Sequence, residues 1–181
     1  MEKIIHILGA SGSGITTIGK AISKRFGHFF IDSDTCYWQP TDPPFTTARP
    51  IEERQRIIAD GISKHKKCVI SGSLCGWGDL FIPKFDLVLY VDLASEARIK
   101  RLVASEFKTF GERIRPGGDM YQQHKDFLEW AARYDTSGLQ QRSRKLHMEW
   151  LKKICCRIIN IDGAMEIERI LKTISKKPIT D

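Results

Sequence analysis

The sequence predicts an α/β fold with a five-stranded parallel sheet and helices on both of its faces. Two observations lead to this prediction. Short apolar runs of three to six residues recur along the chain, and segments with helical spacing separate them. This alternation is typical of strands joined by helical crossovers, which place functional loops at the carboxyl ends of the strands. The length of 181 residues fits a single domain, residues 1–181.

The predicted strands are short and rich in branched apolar residues. The first covers residues 4–8 and ends at Gly9, and an apolar run bounded by glycine is typical of a buried parallel strand. Three further strands are predicted at residues 29–31, 68–70 and 86–93. The fifth is predicted at residues 157–161.

The predicted helices are recognised by apolar spacing and by the residues at their ends. The first covers residues 16–26 and stops at Gly27, and the second covers residues 51–64 and starts at Pro50. Ser95 is predicted to cap the third. Three more are predicted at residues 127–134, 143–153 and 165–174. Four prolines between residues 36 and 50 predict a stretch without regular structure.

The net charge of +7 is unevenly distributed. Residues 1–60 hold seven basic and seven acidic side chains, so the excess lies in residues 61–181. Residues 98–115 carry six basic and two acidic side chains, and residues 142–157 carry six and one. Such stretches suit a nucleic-acid surface, a clamp for phosphates inside a cleft, or solvated helix faces. Charge alone leaves these three interpretations open.

Composition also disfavours several classes of protein. The apolar runs are much shorter than the roughly 20 residues that span a bilayer, so no membrane partner is expected. The first residues have neither an apolar core nor a small-residue cleavage site, which argues against a signal peptide. Five cysteines without metal-ligand spacing argue against zinc and against a disulfide framework. We therefore expect a cytoplasmic protein with reduced thiols.

A glycine-rich loop joins the first strand to the first helix. It matches the phosphate-binding pattern G-x-x-x-x-G-K-[ST] at Gly9, Gly14 and Thr16. Small residues let backbone N–H groups turn inward, and the helix N-terminus adds partial positive charge. The alternative is a tight turn without a ligand. The residues predicted to bind nucleotide phosphates are Gly9, Ala10, Ser11, Gly12, Ser13, Gly14, Ile15, Thr16 and Thr17.

Ile15 stands where the phosphate-binding pattern has its lysine. That lysine is normally a point charge on the terminal phosphates. A charge-assisted hydrogen bond contributes on the order of 1.5–3 kcal/mol, so its loss should weaken ATP binding or transition-state stabilisation. We expect an arginine from the basic stretches to supply the missing charge. Lys20 lies too far along the helix to do so.

The segments around this loop resemble a known family. GASGSGITT, the helix after it and FFIDSD resemble P-loop small-molecule kinases related to adenylate kinase and shikimate kinase. GSLCGWGD, RPGGDMYQQH and RSRKLHMEWL are similar to recurring segments of bacterial adenylate-kinase-like proteins, often labelled AAA-family ATPases, in which the loop lysine is commonly absent. The resemblance covers nearly the whole chain. It implies a P-loop NTPase-type sheet with a small lid, and ATP and Mg²⁺ as cofactors.

Two carboxylates follow the second strand, Asp32 and Asp34. From their spacing alone they could hold Mg²⁺ through water, accept a proton from an attacking hydroxyl, or form a polar turn. The pair resembles the Asp-x-Asp of shikimate kinases. That resemblance implies that Asp32, with Thr16, supports magnesium and that Asp34 contacts the acceptor and acts in catalysis.

The resemblance implies an acceptor-binding segment at about residues 36–66. Tyr37, Trp38 and Phe45 could stack on a planar substrate there, or they could close the edge of the core. On the helix that follows, Arg54 would bind an anionic group of the acceptor.

The loop after the third strand is a further place where the resembling kinases touch the acceptor. Gly72 and Trp77 are the residues expected to do so here. Adenylate kinases carry an arginine in this loop, and its absence from this chain weakens the assignment of AMP as the acceptor.

The resemblance also implies a lid at about residues 108–142. Arg113, Arg142 and Arg144 would close over the γ-phosphate and supply positive charge, and closure would exclude water. Arg101 would contact the nucleotide. Any one of these arginines could equally be a solvated surface residue.

These expectations favour an ATP-dependent phosphotransferase with a small-molecule acceptor, nucleotides included. Ile15 suggests one alternative, a nucleotide-binding regulatory protein with weak ATPase activity. The basic stretches suggest another, a nucleic-acid-binding or topology-modulating protein, which ranks last because its arginines lie where a lid would place them. The acceptor and the oligomeric state are not predicted.

Overall fold

The computed structural model describes residues 3–175, and a five-stranded sheet forms their centre. The order across the sheet is β2-β3-β1-β4-β5, and every neighbouring pair is parallel. The predicted five-stranded parallel sheet is therefore confirmed. The strands are β1 (Ile4–Gly9), β2 (Phe29–Asp32), β3 (Cys68–Ser71), β4 (Leu87–Asp92) and β5 (Arg157–Asp162).

Helices connect the strands and cover both faces of the sheet. A 3₁₀-helix, Asp79–Lys84, precedes β4, and short 3₁₀ turns lie at Gly111–Ile114 and Arg133–Asp135. The α-helices are α1 (Ile15–Phe26), α2 (Ser33–Tyr37), α3 (Ile51–Lys64), α4 (Ser95–Phe110), α5 (Tyr121–Ala132), α6 (Arg144–Leu151) and α7 (Ile167–Ser175).

The central strands are apolar throughout because both faces of the sheet are covered. In β1, Ile4 and Leu8 belong to one buried cluster, whereas Ile5 and Ile7 belong to another. This is the period-two alternation of a strand, and it explains why the predicted strands are continuous apolar runs rather than alternating ones. Helices α3 and α6 cover the first cluster, and α1 and α7 cover the second.

Three predicted features differ from the structure, and one is the start of α5, which lies at Tyr121 rather than at residue 127. Ser95 is the first residue of α4, and the N-cap is Ala94, which makes no side-chain capping bond. The stretch predicted to lack regular structure begins inside α2, a short helix that was not predicted. Asp32 stabilises that short helix because its carboxylate accepts a hydrogen bond from the backbone N–H of Asp34.

The order of the strands fixes the place of the candidate site. β1 lies between β3 and β4. The connection after β1 leads to a strand on one side of it, and the connection after β3 leads to a strand on the other side. In such sheets a crevice opens at the carboxyl ends of the strands around this point. Residues 38–50 and residues 111–143 both lie near this edge, and each contributes side chains to the cavity described below.

The predicted division into an acceptor segment and a lid stays a prediction. The single domain predicted for residues 1–181 extends beyond the described residues at both ends. The expectation about a signal peptide falls partly on residues 1 and 2, which also lie outside them. Within residues 3–175, the helices lack the combination of length and apolar character that crossing a bilayer requires.

Candidate active site

The phosphate loop, residues 9–17, connects the carboxyl end of β1 to the first turn of α1. Gly14 is the N-cap of α1 and has a φ of 100°, and Gly12 has a φ of 81°. Side chains rarely adopt these angles, so the two glycines allow the tight path of the loop. The first turn of α1 contains no acidic residue, which leaves the positive end of the helix available to an anion.

The Ser13 hydroxyl is the feature of the loop that most directly fits a ligand. Its oxygen is fully buried, and no described residue forms a hydrogen bond with it. Buried polar groups are nearly always hydrogen-bonded, so an orphaned hydroxyl inside a glycine-rich loop fits a place where a ligand oxygen binds. The Ser13 hydroxyl is therefore compatible with phosphate binding by this loop, which stays a prediction.

Ile15 is partly buried and packs against the apolar cluster between α1, α7 and the sheet. It contributes shape but no charge at the lysine position. The guanidinium of Arg101 lies close to the loop, because a Cβ atom built at Gly14 would be 3.6 Å from its Nη1. Arg101 donates a hydrogen bond to the carbonyl oxygen of Gly163 at 3.0 Å, which holds it between the phosphate loop and the β5–α7 turn. Lys20 instead lies 5.9 Å from the ring of Phe30.

Asp32 and Asp34 take different positions although they are two residues apart. Asp32 caps α2, and burial raises the pKa of its carboxyl group, while the backbone N–H of Asp34 partly opposes that shift. The side chain of Asp34 is about half exposed and lies in the wall of a large cavity. Asp32 is thus a structural cap near the sheet edge, and Asp34 is the carboxylate that faces open space.

A cavity of about 810 Å³ opens beside the phosphate loop. This volume suits a small-molecule site. Ser11 of the phosphate loop, Asp34 and Arg142 all contribute to its wall, so the predicted nucleotide site and acceptor site share one space. The aromatic side chains in the wall are Tyr37, Trp38, Phe45, Trp77, Phe110, Phe127 and Trp130.

Arg142 is the predicted lid arginine that reaches this cavity. Its guanidinium lies 4.0 Å from the carboxylate of Asp34 and 5.5 Å from the ring centre of Trp130. A distance of 4.0 Å is a loose ion pair rather than a hydrogen bond. The two groups can therefore both turn toward a bound molecule.

Arg144 is tightly paired with carboxylates, so its guanidinium is not available to turn toward a molecule in the cavity. It forms two hydrogen bonds with Asp92 at the end of β4, at 3.0 and 2.7 Å, and another with Asp135 at 2.9 Å. Asp135 also accepts a hydrogen bond from the fully buried Arg98. In this structure Arg144 fastens the start of α6 to the sheet.

Arg113 is also paired, but at an exposed position. It contacts Asp119 within residues 111–143 and, at 2.7 Å, Asp42 in the proline-rich segment. Gln123 of α5 makes a second link to this segment, because its amide donates to the carbonyl oxygen of Pro44 at 2.7 Å. These contacts hold the predicted lid against the predicted acceptor segment.

The structure places the three predicted substrate residues in different surroundings. Trp77 lines the cavity, and its indole N–H donates to the carbonyl oxygen of Ser73. Arg54 lies behind Tyr37, with its guanidinium 3.7 Å from the centre of that ring. A Cβ atom built at Gly72 would overlap the Ser33 hydroxyl, so the glycine there permits close packing between β3 and α2. Within the described residues, neither Arg54 nor Gly72 lines the cavity.

Sequence reasoning missed several residues of the cavity wall. Phe127 and Trp130 of α5 face the cavity, and their rings stack with centres 5.9 Å apart. Their spacing of three residues on a helix near a predicted lid was an available signal. Ser73 also lines the cavity, and nothing in the local sequence distinguishes it from its neighbours.

The oxygen atoms near the end of β2 fit a magnesium ion that is held mainly by phosphates. Thr16 and Asp32 are the predicted ligands. Ser71, on the strand between β1 and β2, has a buried hydroxyl without a hydrogen-bond partner among the described residues. Within residues 3–175, no three His, Cys, Asp or Glu side chains form a metal-binding group. Mg²⁺ is often bound through one or two carboxylates together with substrate phosphates, which this set can supply.

Solved structures share this architecture. Shikimate kinase from Bacteroides thetaiotaomicron has a TM-score of 0.55 and 15% sequence identity over 97% of this chain and 100% of that one. Shikimate kinase from Acinetobacter baumannii, solved with shikimate, has a TM-score of 0.51 and 17% identity over 98% and 96% of the two chains. The fold is the one that these P-loop small-molecule kinases share.

Sequence relatives narrow this class. The uncharacterized protein YqaC of Bacillus subtilis is 40% identical over 171 residues, which cover 94% of both chains. Shikimate kinase 2 of Yersinia pestis is 27% identical over 113 residues, 56% of this chain and 64% of that kinase. No protein-family model matches the chain. The chain belongs to the family of YqaC, and its fold is that of P-loop small-molecule kinases.

Proposed function

We propose that this protein is an ATP- and Mg²⁺-dependent kinase that phosphorylates a small molecule. One observation carries the proposal: Ser11 of the phosphate loop, Asp34 and Arg142 line a single cavity of about 810 Å³. A phosphoryl donor and an acceptor must meet in one water-poor space for transfer to outcompete hydrolysis. The similarity to shikimate kinases agrees with this class of reaction.

In this proposal the phosphate loop, residues 9–17, holds the phosphates of ATP. Its backbone and the buried Ser13 hydroxyl make hydrogen bonds to phosphate oxygens, and the positive end of α1 favours their charge. Arg101 supplies the cation that Ile15 lacks, since its guanidinium is already held beside Gly14.

Thr16 and Asp32 hold the magnesium ion in this proposal, with the Ser71 hydroxyl close by. A bound Mg²⁺ would supply positive charge that offsets the negative charge of the phosphates. The protein would supply hard oxygen ligands from the carboxyl ends of β2 and β3, where Asp32 and Ser71 lie, and from the first turn of α1, where Thr16 lies.

Asp34 and Arg142 act on the acceptor. The carboxylate of Asp34 accepts a hydrogen bond from the acceptor hydroxyl and orients it for attack. Arg142, which lies 4.0 Å from Asp34, balances negative charge on the transferring group. Arg113 and Arg144, which were also predicted as catalytic, serve here to position the lid and α6, because carboxylates already hold their guanidinium groups.

The walls of the cavity favour an acceptor with a flat ring. Trp38 and Phe45 come from the acceptor segment, and Phe127 and Trp130 come from α5. Aromatic rings on opposing elements stack well on planar molecules. Trp77 contributes to the same wall, whereas Arg54 acts indirectly by supporting the ring of Tyr37. Gly72 likewise acts indirectly, by letting α2 approach β3.

The protein as a whole is then one P-loop kinase domain. Residues 36–66 are its acceptor segment and residues 108–142 its lid, and both contribute to the cavity. We place it in the cytoplasm, where ATP is available, with no membrane or nucleic-acid partner.

The proposal is tested by ATP turnover against a panel of acceptors. Purified full-length protein is incubated with ATP and Mg²⁺ plus nucleosides, nucleotides, sugars or ring hydroxy acids, shikimate included, and ADP and phosphorylated product are measured together. We expect product from at least one compound with a planar ring. Asp34→Asn should abolish transfer while ATP binding is kept, and Asp126→Asn on the outer part of α5 is the matched control. Hydrolysis without transfer to any acceptor would contradict the proposal.

A nucleotide-binding regulatory protein is the second candidate, and Ile15 favours it. An uncharged residue packed into the core removes a contact that kinases normally make to the terminal phosphates. Tight ATP binding together with no transfer in the same panel would favour this function over the kinase.

A further inference from the structure

A chain of buried hydrogen bonds runs from Arg144 to the wall of the cavity. Arg144 donates to the hydroxyl of Tyr90 at 3.4 Å, and the hydroxyls of Tyr90 and Tyr134 lie 3.1 Å apart. The Tyr134 hydroxyl is 2.8 Å from Nδ1 of His147, and Nε2 of His147 is 3.1 Å from the hydroxyl of Ser73. Ser73 lines the cavity and is the last member of the chain.

The side chains in this series of hydrogen bonds have few alternative partners or protonation states. Tyr90, Tyr134, His147 and Ser73 are all buried. Burial, together with the positive charge of Arg142, lowers the pKa of His147 to about 3, so its ring carries one proton at neutral pH. That proton is on either Nδ1 or Nε2, and the neighbouring groups decide which.

The guanidinium of Arg144, at one end of this series of hydrogen bonds, determines which group donates in each bond. A guanidinium can only donate, so the Tyr90 oxygen accepts and its own proton goes to the Tyr134 oxygen. Tyr134 then donates to Nδ1 of His147, and the ring proton is on Nε2, which donates to Ser73. In the opposite direction the Tyr90 oxygen would accept from both Arg144 and Tyr134, and its buried proton would have no acceptor among these contacts.

This direction has a consequence for the cavity. The oxygen of Ser73 is already an acceptor for His147, so the Ser73 proton remains to be donated. We propose that Ser73 binds the acceptor molecule as a hydrogen-bond donor, and that the acceptor therefore presents a carbonyl, carboxylate or phosphate oxygen at that point. The identity of the bound molecule as a phosphoryl acceptor rests on the kinase function proposed above. The direction of the hydrogen bonds does not rest on it. Arg142 lines the same cavity and suits the same kind of oxygen.

The thiol of Cys75 is the other group near Ser73. Burial raises the pKa of this thiol, and a hydrogen bond from the Ser73 hydroxyl partly opposes the increase. Sulfur is a weak acceptor, so a ligand oxygen is the better partner for the same proton. Cys75 also lines the cavity, so exchanging the thiol for a ligand oxygen requires only a rotation of the Ser73 hydroxyl.

The first part of the test reads the protonated nitrogen of His147 directly. Nitrogen-15 NMR of the full chain at neutral pH separates the two neutral forms of histidine, and His65→Phe and His124→Gln help to assign the signals. We expect the proton of His147 on Nε2. In Tyr134→Phe, which removes the donor to Nδ1, we expect the form protonated on Nδ1 to appear. Tyr134 is a positioning residue in this scheme, and a merely structural tyrosine would leave the tautomer of His147 unchanged.

The second part measures binding with defined probes. Shikimate, AMP and inorganic phosphate each offer anionic oxygens, and they can be titrated while the fluorescence of the cavity tryptophans is followed. We expect at least one probe to bind, and we expect Ser73→Ala to weaken that probe at least tenfold. Ser63→Ala, an exposed serine that bonds only within α3 among the described residues, is the matched control. Thermal unfolding checks that both variants are folded.

Each outcome decides the proposal. A proton on Nδ1 in the unmodified chain overturns it, whatever the protein's activity. Equal probe binding by the unmodified chain and Ser73→Ala also overturns it, as does the absence of binding by all three probes. Failure of the kinase function itself would appear separately, as loss of ATP turnover with the Nε2 form of His147 intact.

Discussion

At the scale of single residues, Ile15 alters the charge of the phosphate loop more than its shape. The loop keeps its left-handed glycines and its buried Ser13 hydroxyl, and Ile15 adds packing against the core. Arg101 is the nearby cation, and a hydrogen bond to Gly163 holds it in place. We infer that this loop depends on an arginine from α4 for a contact that usually comes from within the loop.

Ile15→Lys tests that inference. Because Arg101 already supplies the cation in this inference, the new lysine should leave ATP binding unchanged or weaken it. Isothermal titration calorimetry gives the affinity, and Ile15→Met is the control for lost packing. ATP binding that is about tenfold tighter in the lysine variant, which corresponds to one charge-assisted hydrogen bond, would instead show that the site lacks a cation.

A second residue-scale prediction concerns Arg144. Its hydrogen bonds hold the pKa of Asp92 below the usual range, so their contribution to stability is present above about pH 4 and is lost as the pH falls below that. Arg144→Met should lower the free energy of unfolding by about 1 kcal/mol at pH 7, because the pair is partly exposed and screened by solvent. Urea unfolding at pH 7 and pH 3 measures this change in the free energy of unfolding.

The difference between the unmodified chain and Arg144→Met should shrink at pH 3. Arg133→Met is the matched control, since Arg133 pairs with Glu129 at 3.6 Å on the surface and should have almost no effect. A difference of the same size at both pH values would show that Arg144 stabilises the fold by packing rather than by charge.

At the scale of elements, the lid and the acceptor segment form a bridged pair. Arg113 joins them through Asp42, α5 joins them through Gln123, and Phe45 meets Phe110 at the end of α4. These contacts are few and mostly exposed. The lid should therefore open without disturbing the core.

Arg113→Met should make that opening more frequent. We expect faster amide hydrogen exchange in α5 and in residues 38–50, while β1 and β4 exchange as before, because their hydrogen bonds lie in the central sheet. Mass spectrometry of peptides resolves these regions. Arg115→Met is the control, since Arg115 pairs with Glu112 inside the lid. Unchanged exchange in α5 would mean that the ion pair with Asp42 contributes nothing to lid position.

At the scale of the whole molecule, buried histidines should make the fold sensitive to mild acid. Burial lowers the pKa of His6 to about 4, and its ring stacks on Phe85 inside the core. A histidine that is neutral when folded and charged when unfolded contributes stability above pH 6.5, and the contribution is lost as the pH falls toward 4.

His6→Phe should therefore flatten the pH dependence of stability. On the order of 3 kcal/mol of the loss between pH 7 and pH 4 should disappear, and the variant should be more stable than the unmodified chain at pH 4.5. Urea unfolding over this pH range measures the effect, with His65→Phe as the control. An identical pH profile for His6→Phe and the unmodified chain would place the acid sensitivity elsewhere.

The ion pairs of the arginines affect how the net charge of +7 is interpreted. Five arginines of the two basic stretches form ion pairs with carboxylates, and that of Arg142 is the loosest: Arg98, Arg113, Arg115, Arg142 and Arg144. Paired arginines neutralise local charge and release fewer counterions on binding a phosphate backbone. This supports the low rank given to a nucleic-acid function, which stays a prediction.

Much of the fold could be predicted because local pattern determines it. The strands are apolar runs, and the phosphate loop lies in nine consecutive residues, so both are visible without any tertiary contact. The partners of Arg144 were not predictable in the same way. Asp92 lies 52 residues from it in sequence, and only the packing of α6 against β4 brings the two together. The same reason explains why Ser73 and Trp130 were missed as neighbours in one cavity.

The two ends of the lid are anchored very differently, and this bears on how products leave. At residues 133–143, Asp135 is fixed by Arg98 and Arg144, one of them fully buried. At the other end, Gly111 has a φ of 55°, and an added side chain would meet open space there. In the kinase proposed above, we expect rotation about Gly111 to govern the release of ADP, so the slow step of its turnover should respond to Gly111→Ala.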